Sequence, residues 1–276
     1  MSSLFEILAD DIRAEQPVVL AEIVEGPAES LGAKLLVRPG PPQEVHGSLG
    51  DPDLDRVVTH DAQSELAAGL TGTRHYGRHG EARERDVSVF IESFAVPARM
   101  IIFGAVDFTS ALAKVAKILG YRVTVCDARS VFATRARFPM ADEVVVAWPD
   151  AQLAQVGPDL GRRDAICVLT HDPKFDVPAI VSALATGVGY IGAMGSRRTT
   201  DKRAARLREA GIGETELARV MAPIGLDIGA RTPEETAVAI CAEIIALRTG
   251  RTAPSLRDHP GPIHRDHGPG DKGAAP

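Results

Sequence analysis

Cysteine and aromatic residues are scarce in this 276-residue chain, and each scarcity removes a class of function. The three cysteines, Cys126, Cys167 and Cys241, stand far apart, each inside an apolar run. That pattern fits small buried hydrophobes in a reducing compartment, not a metal-ligand motif or a disulfide framework. Aromatics make up only 4% of the chain, too few for the platforms that grip single-stranded nucleic acid. Positive charge is not in excess either: the net charge of −6 provides no basic field to attract nucleic acid. No run of about 18 apolar residues occurs, so no segment is expected to span a membrane. The opening "MSSLFEILADDIRAEQ" carries acids where a signal peptide needs cations, and its apolar spacing is helical, so a cytoplasmic protein is expected. Hydrolase and protease signatures, Walker-type loops and nucleophiles with a nearby base are all missing, so no catalytic or metal-ligating residue is expected.

What is present is a soluble globular composition, 45% hydrophobic and 25% charged, in three regions. Residues 1–95 read as a small α+β domain. Its strands are Pro17–Val24, Gly32–Arg38 and Asp86–Phe94, with a helix in "DPDLDRVVTHDAQSELAAGL" carrying Leu54, Val57, Val58 and Leu66 on one side. Residues 98–250 alternate strands (100–103, 122–126, 143–147, 165–169, 190–194) with helices (108–119, 149–155, 177–186, 197–210, 233–247). Such alternation predicts a Rossmann-like α/β domain with a parallel sheet. The last helix has a sequence-level start: Thr232 as cap, Pro233 first, and Glu235 completing T-x-x-E. Residues 251–276 are rich in Pro and Gly without periodicity and read as a disordered tail, its histidines His259, His264 and His267 solvated.

Ligands of open α/β sheets bind beyond the carboxyl ends of the strands, which selects four loops. "GAVDFT" follows the first strand of the second region but keeps only the first glycine of G-x-G-x-x-G, at Gly104, followed by Ala105. Val106 and Thr109 fill the other two places, with Val106 expected where a phosphate would sit and Asp107 placed to cap the helix and occupy its anion site. Asp127, ending the next strand, reads as a ribose-binding acid or an ordinary strand-end polar residue. "GVGYIG", through Gly192, spells the motif literally but precedes a strand and is a false match. "GAMGSRR" brings Gly195, Ser196 and Arg197 to a helix start, an oxyanion site or a capped helix whose later cations Lys202, Arg203 and Arg206 form a solvated face. In "LTHDPKFD", His171 and Asp172 suit acid–base or metal duty, or a hydrogen-bonded loop pair. "APIGLDIGARTPEE" places Gly225, Asp227, Gly229 and Arg231 before the capped helix, with Arg231 as an anion clamp or paired with Asp227.

The segments "FGAVDFTSALAKVAKILGYRVTVCDAR", "ATRARFPMADEVVVAWP", "VLTHDPKFDVPAI", "GYIGAMGSRRTTDKRAARLREAG" and "APIGLDIGARTPEETAVAICAEIIALR" resemble the XdhC/CoxI family, accessory factors of molybdenum hydroxylases. "VVLAEIVEGPAESLGAKLLVR" and "GSLGDPDLD" resemble that family's N-terminal domain. The resemblance implies a non-enzymatic factor that binds molybdenum cofactor as cargo, as molybdopterin or its cytosine dinucleotide form. It implies protection of the cofactor during sulfuration and delivery to the large subunit of a xanthine or carbon monoxide dehydrogenase. Dimers are the family's usual state, and cofactor sulfuration or nucleotide-attachment enzymes are further expected partners. The candidate cofactor contacts, drawn from the strand-end loops above, are Gly104, Ala105, Asp127, His171, Asp172, Gly192, Gly195, Ser196, Arg197, Gly225, Asp227, Gly229 and Arg231. Two places depart from the family pattern. Its glycine–alanine–glycine–histidine loop reads Gly104–Ala105–Val106–Asp107 here, and its G-S-x-G-G-G-C motif ends in Asp51, Pro52 and Asp53, which supply no thiolate. The competing readings are an NAD(P)-dependent oxidoreductase, resting on Gly104 and Asp127 and disfavoured by Val106, and a protein-interaction scaffold with a degenerate pocket.

Overall fold

A computed structural model describes residues 3–258 and divides the chain into two compact units, one ending at Val96 and joined by the segment from Pro254, the other Pro97–Ala253. The expected disordered tail falls largely on residues 259–276, outside the described residues; Leu256–Asp258 form a 3-10 turn.

The first unit contains α1 (Leu4–Arg13), β1 (Val18–Glu25), β2 (Lys34–Arg38), β3 (Glu44–Ser48), α2 (Pro52–Ala68), β4 (Gly72–Tyr76) and β5 (Val87–Phe94). Its five strands form an antiparallel sheet in the order β3-β2-β1-β5-β4. Leu54, Val58, Ala62 and Leu66, spaced at helical period along α2, bury against Val19, Ala21, Ile23, Leu35, Val37 and Ile91. Asp51 caps α2 by accepting the Asp53 and Leu54 amides, Pro52 takes the first helical position, and Gly69 closes the helix at φ 65°. The short strands β3 and β4 are absent from the sequence-based expectation. Both carry polar runs ("EVHGS", "GTRHY") at sheet edges, where pairing rather than side-chain burial sets the conformation.

The second unit runs β6 (Arg99–Phe103), α3 (Asp107–Ile118), β7 (Arg122–Cys126), β8 (Glu143–Val145), α4 (Pro149–Val156), β9 (Ala165–Val168), α5 (Pro173–Leu184), β10 (Tyr190–Ala193), α6 (Arg197–Glu209), α7 (Glu214–Leu217), β11 (Val220–Met221) and α8 (Pro233–Arg248). All six strands are parallel, in the order β11-β10-β9-β6-β7-β8. Counted within this sheet, that is the doubly wound order 3-2-1-4-5-6, with its topological switch point between β6 and β9. Strand alternation divides the core in two. Met100, Ile102, Val123, Val125 and Cys167 pack with α3 and α8, while Ile101, Phe103, Ile166, Val168 and Ile191 pack with α4, α5 and α6.

The capping box at Thr232, Pro233 and Glu235 starts α8 as the sequence indicates. α5 begins four residues earlier than expected from Val177. Asp172 caps it through the Lys174 amide and Pro173 is its first residue, so Pro178 sits inside the helix. The edge strand β11 and the single-turn α7 were not expected, being too short to carry a period.

Candidate functional site

The loops leaving β6, β7, β9 and β10 define the carboxyl-end crevice of the second unit. At the switch point Gly104 has φ 109°, and a β-carbon there would lie 2.7 Å from Thr170 Cγ2 and 3.1 Å from the Thr170 nitrogen. Glycine at 104 is therefore required by close packing of the loops after β6 and β9, with or without a nucleotide. Thr109 takes the third-glycine place fully buried, its hydroxyl donating to the Gly104 carbonyl.

Asp127 Oδ2 accepts the N–H of Ala105, the first amide after Gly104, at 2.8 Å. Arg129 closes on the same carboxylate through Nε and Nη2 at 2.9 and 2.8 Å, and the Arg129 amide adds a fourth bond at 2.9 Å. Burial pushes the Asp127 pKa up, but these bonds from Arg129 and Ala105 outweigh it and hold the carboxyl below its ordinary value. Arg137 Nη1 donates to the Ala105 carbonyl at 3.0 Å. Both polar groups of Ala105 are thereby engaged by protein, and Asp127 is a structural lock with no oxygen free of protein donors.

Two expectations about this loop are corrected. Val106 is the N-cap of α3 without a side-chain bond, and its side chain packs against the α3–α8 core instead of filling the phosphate position. Asp107 is the first residue of the helix, not its cap; its side chain is 92% exposed and lies 3.7 Å from Arg137. A branched residue at the cap position turns inward because apolar surface is open to it there.

At the second loop, Asp172 caps α5 and His171 is exposed, so they are neighbours in sequence without a bond between them among the described interactions. Thr170, next to them, donates to buried Asp176 on α5. Asp176 pairs with Arg203 of α6 through Nε at 3.2 Å and Nη2 at 2.8 Å, and Arg203 Nη2 also donates to the Met194 carbonyl at 2.7 Å. Arg203 is only 4% exposed, which corrects the expectation of a solvated cation. Its spacing on α6 is that of Leu207, i to i+4, on the buried face; charge alone concealed this.

Ser196 caps α6, accepting the Thr199 amide at 3.2 Å, and Arg197 and Arg198 of the first turn are exposed. Gly195 has φ 153° and lies against Thr199. The Ile224 amide donates to the Ala193 carbonyl, so the 222–231 loop adjoins the end of β10. Within it Gly225 packs on Ile240 of α8 and donates to Glu243, whereas Asp227, Gly229 and Arg231 are exposed, with no Asp227–Arg231 pair among the described residues. Gly192 lies inside β10, where a β-carbon would meet Ile224 and Tyr190; it serves packing within the sheet.

Aromatic and cationic side chains missed by motif reading gather at the same edge. Trp148, at the N-cap of α4, stacks on Phe175 of α5 with centroids 4.8 Å apart. Arg129 lies over Phe132 at 4.7 Å, and Arg137 lies 5.4 Å from Phe138. "DARSVFATRARF" carries a visible Arg–Phe signal, but its target, Phe175, lies far along the chain. Among the described residues, no three His, Cys, Asp or Glu side chains converge as metal ligands, and no helix is long and apolar enough to cross a membrane.

Residues 100–244 match the model of the XdhC Rossmann domain, and residues 11–77 match that of the XdhC and CoxI family. The chain belongs to the XdhC and CoxI family. It is similar to a probable xanthine dehydrogenase subunit of Bacillus subtilis, 30% identical over 195 residues that cover 65% of this chain and 56% of the relative. The molybdenum cofactor insertion chaperone PaoD of Escherichia coli is 31% identical over 101 residues, 37% of this chain and 30% of that protein. The matched segments thus span little more than half, or less, of the relatives' own lengths. A solved structure described as a xanthine dehydrogenase from Bacillus halodurans shares the fold at TM-score 0.53 and 21% identity, over 94% of this chain and 98% of that one. Asp53 lies in the first turn of α2, exposed and 3.3 Å from Arg56.

Proposed function

We propose that this chain is a non-catalytic accessory factor that binds molybdenum cofactor and assists its maturation and insertion into a xanthine or carbon monoxide dehydrogenase type of hydroxylase. The observation that carries the reading is the bond between Asp127 and Ala105. It engages the first amide after Gly104 with protein, while Arg197 and Arg198, exposed in the first turn of α6, leave cations at the crevice edge. A fold built for nucleotides, closed to their usual clamp yet still suited to an anion, fits the handling of a phosphorylated cargo. Membership in the XdhC and CoxI family and similarity to a protein named as a molybdenum cofactor insertion chaperone support the same reading. The three buried cysteines support a non-catalytic role, since burial pushes Cys126 up to about 12 and Cys241 up to about 11 and raises Cys167 as well, so none offers a thiolate.

Ser196 and Arg197 at the start of α6 and Arg231 on the adjoining loop are the proposed anion contacts, with Gly195 and Gly229 permitting close approach. Gly104, Ala105, Gly192 and Gly225 shape the crevice through the backbone. His171, Asp172 and Asp227 form its polar rim. The proposed partner is the hydroxylase large subunit, met by a homodimer of this chain in the cytoplasm. The doubly wound strand order favours an NAD(P) oxidoreductase as second reading, and the Asp127 lock opposes it. Anaerobic incubation with molybdenum cofactor, followed by gel filtration with and without an apo-hydroxylase, tests the proposal. Co-elution of cofactor and of the large subunit is expected; if neither is retained, the reading is overturned.

A further inference from the structure

The chain is poor in aromatics and has one tryptophan, yet several of its large rings meet at one edge of the crevice. Trp148 and Phe175 stack with an interplanar angle of 29°, tying the loop after β8 to the first turn of α5. Arg129 stands 4.7 Å from the Phe132 centroid and 5.7 Å from that of Phe175, and Arg137 stands 5.8 Å from Phe132. Trp148 is 50% exposed and Phe132 is 40% exposed. Side chains of this size ordinarily bury most of their area, so half-exposed rings beside guanidinium planes mark a surface made to be covered.

The orientation of Arg129 is set in advance. Asp127 holds it by a two-pronged fork, which fixes the guanidinium plane and leaves Nη1 outside the fork. A flexible cation over a ring contributes packing alone, whereas a fixed one presents a flat face at no further ordering cost. Asp127 and Asp107 pair with Arg129 and Arg137. Arg135, which donates to the Ala141 and Asp142 carbonyls and to no carboxylate among the described contacts, adds a further positive charge, so a ring bearing negative substituents is favoured over a cationic one.

We propose that Trp148, Phe132, Phe175 and Arg129 form the stacking site for the pterin ring of the cofactor, with Arg137 facing its anionic substituents. This rests on the cargo reading given above. The pterin is chosen over a nucleobase because it is present in every form of that cargo, while cytosine belongs to one form only. The site lies beside the locked Gly104–Ala105 loop, so the ring binds without help from a dinucleotide clamp.

The single tryptophan makes the test direct. Anaerobic equilibrium dialysis with molybdenum cofactor compares the wild-type chain with Trp148→Ala, Trp148→Phe and Phe132→Ala, all checked for an unchanged melting temperature. Loss of one stacking partner is expected to weaken binding about tenfold in Trp148→Ala, with Trp148→Phe restoring most of it. Trp148 fluorescence should fall on binding, and pterin-6-carboxylate should compete while cytidine monophosphate does not. Unchanged affinity in both alanine variants, with cofactor still bound by wild type, overturns the stacking site and leaves the cargo reading intact. Competition by cytidine monophosphate alone overturns the choice of pterin. Failure of wild type to bind any cofactor overturns the cargo reading itself.

Discussion

Asp127 Oδ2 accepts the Ala105 N–H at 2.8 Å, across the two neighbouring strand ends β7 and β6. That bond occupies the first amide after Gly104 whatever side chain stands at position 106. Val106→Gly alone should therefore gain no NAD(P) binding by calorimetry; a gain would show that the side chain was the obstacle after all. Asp127→Asn leaves Arg129 without its carboxylate partner and should cost about 1.5–3 kcal/mol in urea unfolding. Because its folded pKa is lowered, the Asp127 contribution is present above the unfolded value of 3.8 and is lost as pH falls through the folded one.

Gly104→Ala tests whether the surviving glycine serves packing. The new β-carbon meets Thr170 and φ stays positive, so a loss of more than about 1 kcal/mol is expected. Pairing it with Thr170→Ser, which removes the nearer methyl, should recover part of that loss. No recovery would place the strain in the backbone alone.

The buried Asp176–Arg203 pair predicts strong coupling. Arg203→Met strands a buried carboxylate and should cost about 3–5 kcal/mol. The double variant Asp176→Leu, Arg203→Met should cost less than the two single losses added, by about 0.5–3 kcal/mol. Additive losses would mean that the two charges do not hold each other.

In the first unit, His79 Nδ1 lies 2.7 Å from Asp51 Oδ2. The hydrogen bond and charge of Asp51 raise the His79 pKa above 6.5, while the Leu54 amide and then His79 hold Asp51 below its usual value. The attraction is present while both groups are charged and is lost as pH rises through the folded histidine pKa or falls through the folded carboxylate pKa. A proton NMR titration should show His79 moving back toward 6.5 in Asp51→Asn. An unshifted value in the wild type would remove the pair from solution.

Much of the fold was legible because its signals are local. Alternating apolar strands, the Thr232–Glu235 box and the proline starts of α4 and α8 each lie within a few residues. The edge strands β3, β4 and β11 were not legible, since their conformation comes from a neighbour's hydrogen bonds. The site divides the same way. Ser196 could be read as a cap or anion contact from the chain around it, whereas the role of Asp127 depends on Ala105 and Arg129, and that of Arg203 on a carboxylate from another helix. Such partners are set by the strand order, which no short motif encodes.

The chain of bonds from Thr170 through Asp176 and Arg203 to the Met194 carbonyl has a dynamic consequence. It ties the loops leaving β9 and β10, so lifting either one alone exposes a charge with no solvent-ready partner. Amide hydrogens along both loops should exchange only when the whole sheet opens, whereas the 128–137 segment, held largely at the surface, should exchange far sooner. One wall of the crevice is then slow to open and the other fast, with Arg129 kept in place inside the faster wall by its fork to Asp127.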